Sequence, residues 1–216
     1  MFRTTLLSWT LCAAAIPAQA ATLVYDTFSS YPYWVWGSGG LETSNGGEIG
    51  ASFSPFETGR LSELSIAIGT TSNPATTAVT FHVRADAGGT PGSPIESFFV
   101  AGEIPLQSEE VGPFLLTSAD TPLLEAGQTY WLTVETDQTS DVIWHGANWT
   151  FDEYPSWIGN QAIRFPGSST FFVGGKIASA FQVYVDVVPT PPAVWLFGSA
   201  LGVMGWARRK TAEAIG

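Results

Sequence analysis

The chain has 216 residues, 45% hydrophobic and 13% aromatic, which is enough apolar material for one sizeable core, and only 12% are charged. Between residues 22 and 188, four basic groups (Arg60, Arg84, Arg164, Lys176) stand against eighteen acidic ones, a net of −14 that repels phosphate backbones and excludes nucleic acid as a partner. The single cysteine, Cys12, falls near the start, so disulfides, thiol nucleophiles and Cys-ligated zinc are excluded for the rest of the chain.

Residues 1–20 begin with one cation, Arg3, continue through an apolar stretch from Leu6 to Ile16, and end in Ala18-Gln19-Ala20. This is the layout of a secretory signal peptide, with cleavage expected after Ala20. The apolar stretch is short and broken by Pro17, which disfavours a resident membrane helix.

Residues 21–188 are rich in turn formers and lack long amphipathic helical patterns. Several stretches alternate with a period of two: Leu64, Ile66 and Ile68; Val79, Phe81 and Val83, with Thr80, His82 and Arg84 opposite; Tyr130, Leu132 and Val134; and Phe181, Val183, Val185 and Val187. Turn signals separate them at Gly46-Gly47, Ser72-Asn73-Pro74, residues 87–92, residues 125–128 and Gly174-Gly175. The pattern predicts an all-β domain, a single antiparallel β-sandwich of jelly-roll type. Ala126-Gly127-Gln128-Thr129-Tyr130-Trp131-Leu132 and Gly88-Gly89-Thr90-Pro91-Gly92-Ser93-Pro94-Ile95 give residues 50–186 a likeness to the β-rich domains grouped as choice-of-anchor proteins. That resemblance implies a displayed β domain and implies no particular reaction.

Chemistry is sparsely signalled. With this many acids, pairs such as Asp137 and Asp141 or Asp152 and Glu153 arise by chance, although glycan hydrolysis does need two carboxylates at a set separation. His82 is expected on an exposed polar strand face, and there is no G-x-S-x-G elbow. His82 and His145, the only two histidines, have no ligand spacing, so no transition-metal centre or other cofactor is expected; calcium stays open through loop Asp and backbone oxygens, although no D-x-D-x-D-G loop is present. The most suggestive cluster is Trp144, His145, Asn148, Trp149 and Trp157, whose rings and polar groups are the kind that stack on sugars and bond hydroxyls. Core packing of the same tryptophans is the competing reading. A second aromatic group, Tyr31 to Trp36, would extend such a surface or cover a sheet edge.

Residues 189–216 form the tail. Pro189, Pro191 and Pro192 end the last strand, an uncharged run from Ala193 to Ala207 follows, and Arg208-Arg209-Lys210 closes it. As a helix the run would span roughly 22 Å at 1.5 Å per residue, a short membrane helix with Trp195 and Trp206 at the interfaces and the cations on the cytoplasmic side. Val188-Pro189-Thr190-Pro191, then Ala193 to Gly202, then Ala207 to Lys210, closely resembles the PEP-CTERM sorting domain, with Thr190 standing in place of the glutamate that names the motif. The resemblance implies recognition of the proline box by an exosortase-type membrane protease. It also implies transient anchoring in the inner membrane and delivery to the cell envelope, the outer surface or an exopolysaccharide-rich extracellular matrix.

The expected function is that of an exported, non-catalytic cell-surface or matrix protein. The alternative is a carbohydrate-binding module acting on exopolysaccharide, and the third reading is an extracellular glycan hydrolase.

Overall fold

The computed structural model describes residues 20–28, 40–107, 113–146, 159–176 and 179–187. Within them the chain forms fourteen strands and one turn of 3-10 helix. In order the strands are β1 (Thr22–Asp26), β2 (Gly40–Ser44), β3 (Glu48–Phe53), β4 (Gly59–Ile66), β5 (Ile68–Thr70), β6 (Ala78–Asp86), β7 (Pro91–Ala101), β8 (Phe114–Thr117), β9 (Leu123–Leu124), β10 (Tyr130–Thr136), β11 (Asp141–His145), β12 (Asn160–Arg164), β13 (Phe172–Lys176) and β14 (Phe181–Val187).

They assemble into three sheets: β1-β14-β4-β8 with β9 beside β4, β13-β12-β3-β10-β6-β7, and β2-β11-β5. Every strand pair is antiparallel, so the all-β expectation holds among the described residues. The tight turns follow from local sequence. Asn45 (φ 53°) and Gly46 (φ 80°) both take the left-handed conformation that an Asn-Gly pair accepts most readily, turning β2 into β3.

Period-two alternation places the core. Val79, Phe81 and Val83 of β6, Leu132 and Val134 of β10, and Phe181, Val183 and Val185 of β14 are all buried, as their spacing requires. An aromatic hub joins the sheets. Phe53 of the six-stranded sheet lies 5.6 Å from Tyr25 and 5.8 Å from Phe181 of the five-stranded sheet, and Phe181 lies 5.5 Å from Trp144 of the small sheet. A polar staple adds to it: the buried Glu96 carboxylate on β7 accepts from the Ser118 hydroxyl at 2.7 Å and the Ala119 N–H at 2.8 Å, in the turn after β8.

Two local expectations are corrected. Gly174-Gly175 is strand, not turn, because β13 is an edge strand where glycines meet no crowding neighbour. Leu64, Ile66 and Ile68 do not share one strand: the chain breaks at Ala67 and passes from the five-stranded to the three-stranded sheet, which buries Ser65 and Ala67 as well. The tail helix expected over 193–207 lies outside the described residues, and among those residues no helix is long and apolar enough to cross a membrane.

The first and last described strands are neighbours in the five-stranded sheet. Thr22, which opens β1, pairs with Val185, close to the end of β14.

Candidate functional site

The polar face of the six-stranded sheet holds a charge network that the sequence did not announce. Glu48 (β3), Glu135 (β10) and Arg164 (β12) occupy one rung, because Arg164 pairs with Glu48 and Glu48 with Glu135. Two like charges directly opposite each other destabilise a sheet unless a cation bridges them. Arg164 does so: its Nη2 reaches both carboxylates, at 2.9 Å to Glu135 Oε1, and its Nε donates to Glu48 Oε2 at 2.9 Å. Arg84 on β6 reaches the other Glu48 oxygen from Nε at 3.0 Å and Nη2 at 2.9 Å, and the Thr133 hydroxyl donates to it too.

The Glu48 side chain is 0% exposed. Its two arginine partners are both faced by Phe171, whose ring centre lies 5.7 Å from the Arg84 guanidinium carbon and 5.6 Å from that of Arg164. Gly50 makes room beneath: a Cβ there would meet Thr133 Cγ2 at 2.6 Å.

The network continues through His82, which corrects its expected exposure. Its side chain is only 12% exposed, because Ser97 and Glu135 flank it on neighbouring strands. Burial and the nearby Arg84 charge hold its pKa below the ordinary 6.5, outweighing Glu48 and Glu135. The neutral ring therefore donates from Nε2 to Glu135 at 3.3 Å and accepts the Ser97 hydroxyl at Nδ1, 2.8 Å away. Burial pushes the Glu135 carboxyl upward, but the hydrogen bonds from Arg164 and His82 and the Arg164 charge prevail and hold it below 4.5.

Chemically, this is a brace. A glycan hydrolase needs one carboxyl kept protonated near neutral pH. Glu135 is shifted the opposite way, and both oxygens of Glu48 are filled by guanidinium and hydroxyl donors. Asp137 is likewise engaged, accepting from the Thr139 N–H at 2.8 Å in a local turn, and Asp141 bonds the Ser72 hydroxyl at 3.3 Å. Among the described residues no group of three or more His, Cys, Asp or Glu is placed to hold a metal ion.

The expected sugar-contact cluster is divided. Trp144 is 0% exposed, with its Nε1 donating to the Ala180 carbonyl at 3.1 Å, and His145 is buried with Nε2 3.1 Å from Gln107 Oε1. Neither ring presents a face to a ligand, because β11 is the central strand of the small sheet and closes over Phe181. Asn148, Trp149 and Trp157 lie outside the described residues, as do Tyr31 to Trp36 and the sorting residues Val188, Pro189, Thr190, Pro191, Arg208, Arg209 and Lys210. Ala20 is exposed, just before β1. An open cleft of about 530 Å³ lies between the β6–β7 turn and the turn before β10, lined by Asp86, Glu125, Gln128 and Tyr130 among others. Asp86 is occupied there by the Trp131 Nε1–H at 2.8 Å.

Truncating Trp144 removes a core side chain, so Trp144→Ala is expected to lower the unfolding free energy by about 4 kcal/mol in urea titrations; a loss under about 1 kcal/mol would contradict its core role. The network sets a pH dependence. Burial also lowers the His145 pKa, so both histidines bind protons more weakly in the folded protein than in the unfolded chain. Stability is then full above 6.5 and declines as pH falls below it, and a second decline from Glu135 begins below 4.5. Calorimetry across this range should show both steps, with His82→Gln/His145→Gln removing the first and Glu135→Gln weakening the second.

The chain matches no protein-family model and no curated protein sequence.

Proposed function

We propose that the protein is an exported, non-catalytic cell-surface or extracellular-matrix protein, whose body is a jelly-roll-like β-sandwich sorted by an exosortase-type membrane protease. The observation that carries this reading is where the two address segments meet the fold. The signal-like leader ends at Ala20, two residues before β1, and the proline box begins at Val188, just past Val187, the last described residue of β14. Cleavage after Ala20 leaves β1 whole, and processing at the proline box leaves the described residues of β14 whole.

Because Thr22 pairs with Val185, the start of β1 and the last described residues of β14 lie at the same end of the five-stranded sheet. A protein tethered there carries the rest of its surface away from the membrane. That surface is acidic, and the strand network ties up Arg84 and Arg164, two of the few cations that would otherwise offset it. Like charge on every copy favours a hydrated, mutually repelling coat over adhesion to anionic lipid.

Cell fractionation tests this. The full chain is expected in the membrane and surface fractions with its mature N-terminus at Ala21, and a chain ending at Val188 is expected to be released into the medium. Identical distribution of the two chains, or an uncut leader, would overturn the proposal.

A further inference from the structure

We propose that β13 is the seam of a symmetric dimer, in which the β13 strands of two copies pair antiparallel about Val173 and join two six-stranded sheets into one. This goes beyond sorting and does not depend on it. The two edges of that sheet are unequal. β7, at one edge, is blunted by Pro91 and Pro94, which supply no N–H, and by register shifts between Val83 and Arg84 and between Arg84 and Asp86. β13, at the other, contains neither proline nor acid, and among the described residues its only strand partner is β12. Its one irregularity lies at the far end, where the register slips opposite Asn160 and Gln161, so Phe172 to Gly174 keep a regular ladder edge.

Among the described residues the edge is also apolar and open. Phe172 is 59% exposed, Val173 39% and Phe165 58%, with the two phenyl rings 5.6 Å apart. A Cβ at Gly174 would meet nothing within 4 Å. Exposed apolar residues along an unpaired edge are a template for strand addition.

Charge selects the occupant. In a body of net −14, two copies repel wherever acids face each other, yet from Tyr154 to Val185 the chain carries no Asp or Glu. The one cation on β12, Arg164, is already neutralised by Glu48 and Glu135, and Lys176, which closes β13, falls opposite the partner's Thr170 and not its own counterpart when the strands pair about Val173. This edge is therefore one that a second copy approaches at low electrostatic cost. Pairing about Val173 sets Val173 against its counterpart and Phe172 against the partner's Gly174, where an aromatic ring covers a glycine that has no side chain of its own.

Sedimentation velocity of the full chain in mild non-ionic detergent tests the seam, since any association through the tail is common to all variants. Wild type is expected to shift from one to two copies as concentration rises to about 100 µM. Val173→Glu and Val173→Lys should each stay monomeric, and an equimolar mixture of the two should recover the dimer, because opposite charges then face each other. Gly174→Glu, which adds a side chain into open space, should also stay monomeric with unchanged thermal unfolding. A wild type that is monomeric throughout, single variants that still dimerise, or a mixture that fails to associate would each overturn the proposal.

Discussion

Burying the carboxylate of Glu48 is the constraint around which the polar face of this protein is arranged. An ionised carboxylate taken out of water costs several kcal/mol unless its lone pairs are filled and its charge is balanced. Arg84, Arg164 and Thr133 do both, and they come from three other strands of the same sheet. One side chain thereby ties β12, β3, β10 and β6 in register. Gly50 must stay without a Cβ for Thr133 to lie where it does, and Phe171 lies over both guanidinium groups.

The opposite face of the same sheet obeys a different rule. There the aromatic hub of Tyr25, Phe53, Phe181 and Trp144 joins three sheets through ring contacts between 4.9 and 5.8 Å. Shape decides packing on this side and charge pairing on the other, so register is fixed twice over. A body held this way keeps two arginines inside a neutral network and shows the surroundings a surface dominated by its acids. That division is compatible with the proposed display in a hydrated matrix, and the acid-free β12–β13 edge carries little charge to oppose the proposed self-association.

Strand faces were legible in the sequence because a period of two is a local property: Val79, Phe81 and Val83 declare their side without reference to anything distant. What covers the other side is a long-range property. His82 reads as exposed from its own strand, and only Ser97, Glu135 and the neighbouring network, brought in by sheet pairing, bury it. The rung of Glu48, Glu135 and Arg164 is invisible locally for the same reason, since its members come from β3, β10 and β12. Trp144 did leave a signal. Val142 and Trp144 alternate with Asp141 and Ile143, which marks the ring as inward-facing, but the aromatic density around it suggested a binding surface instead. Gly174-Gly175 misled because glycine marks turns and open edge strands alike.

The measurement that bears most directly on the central claim compares Glu48→Gln with the triple replacement Glu48→Met/Arg84→Met/Arg164→Met by urea unfolding. Removing the Glu48 charge leaves Arg84 without its carboxylate partner and Arg164 with Glu135 alone, so the single change is expected to cost about 3–5 kcal/mol, while the apolar triple recovers most of that loss. A Glu48→Gln protein within about 0.5 kcal/mol of wild type would show that the sheet does not depend on this carboxylate.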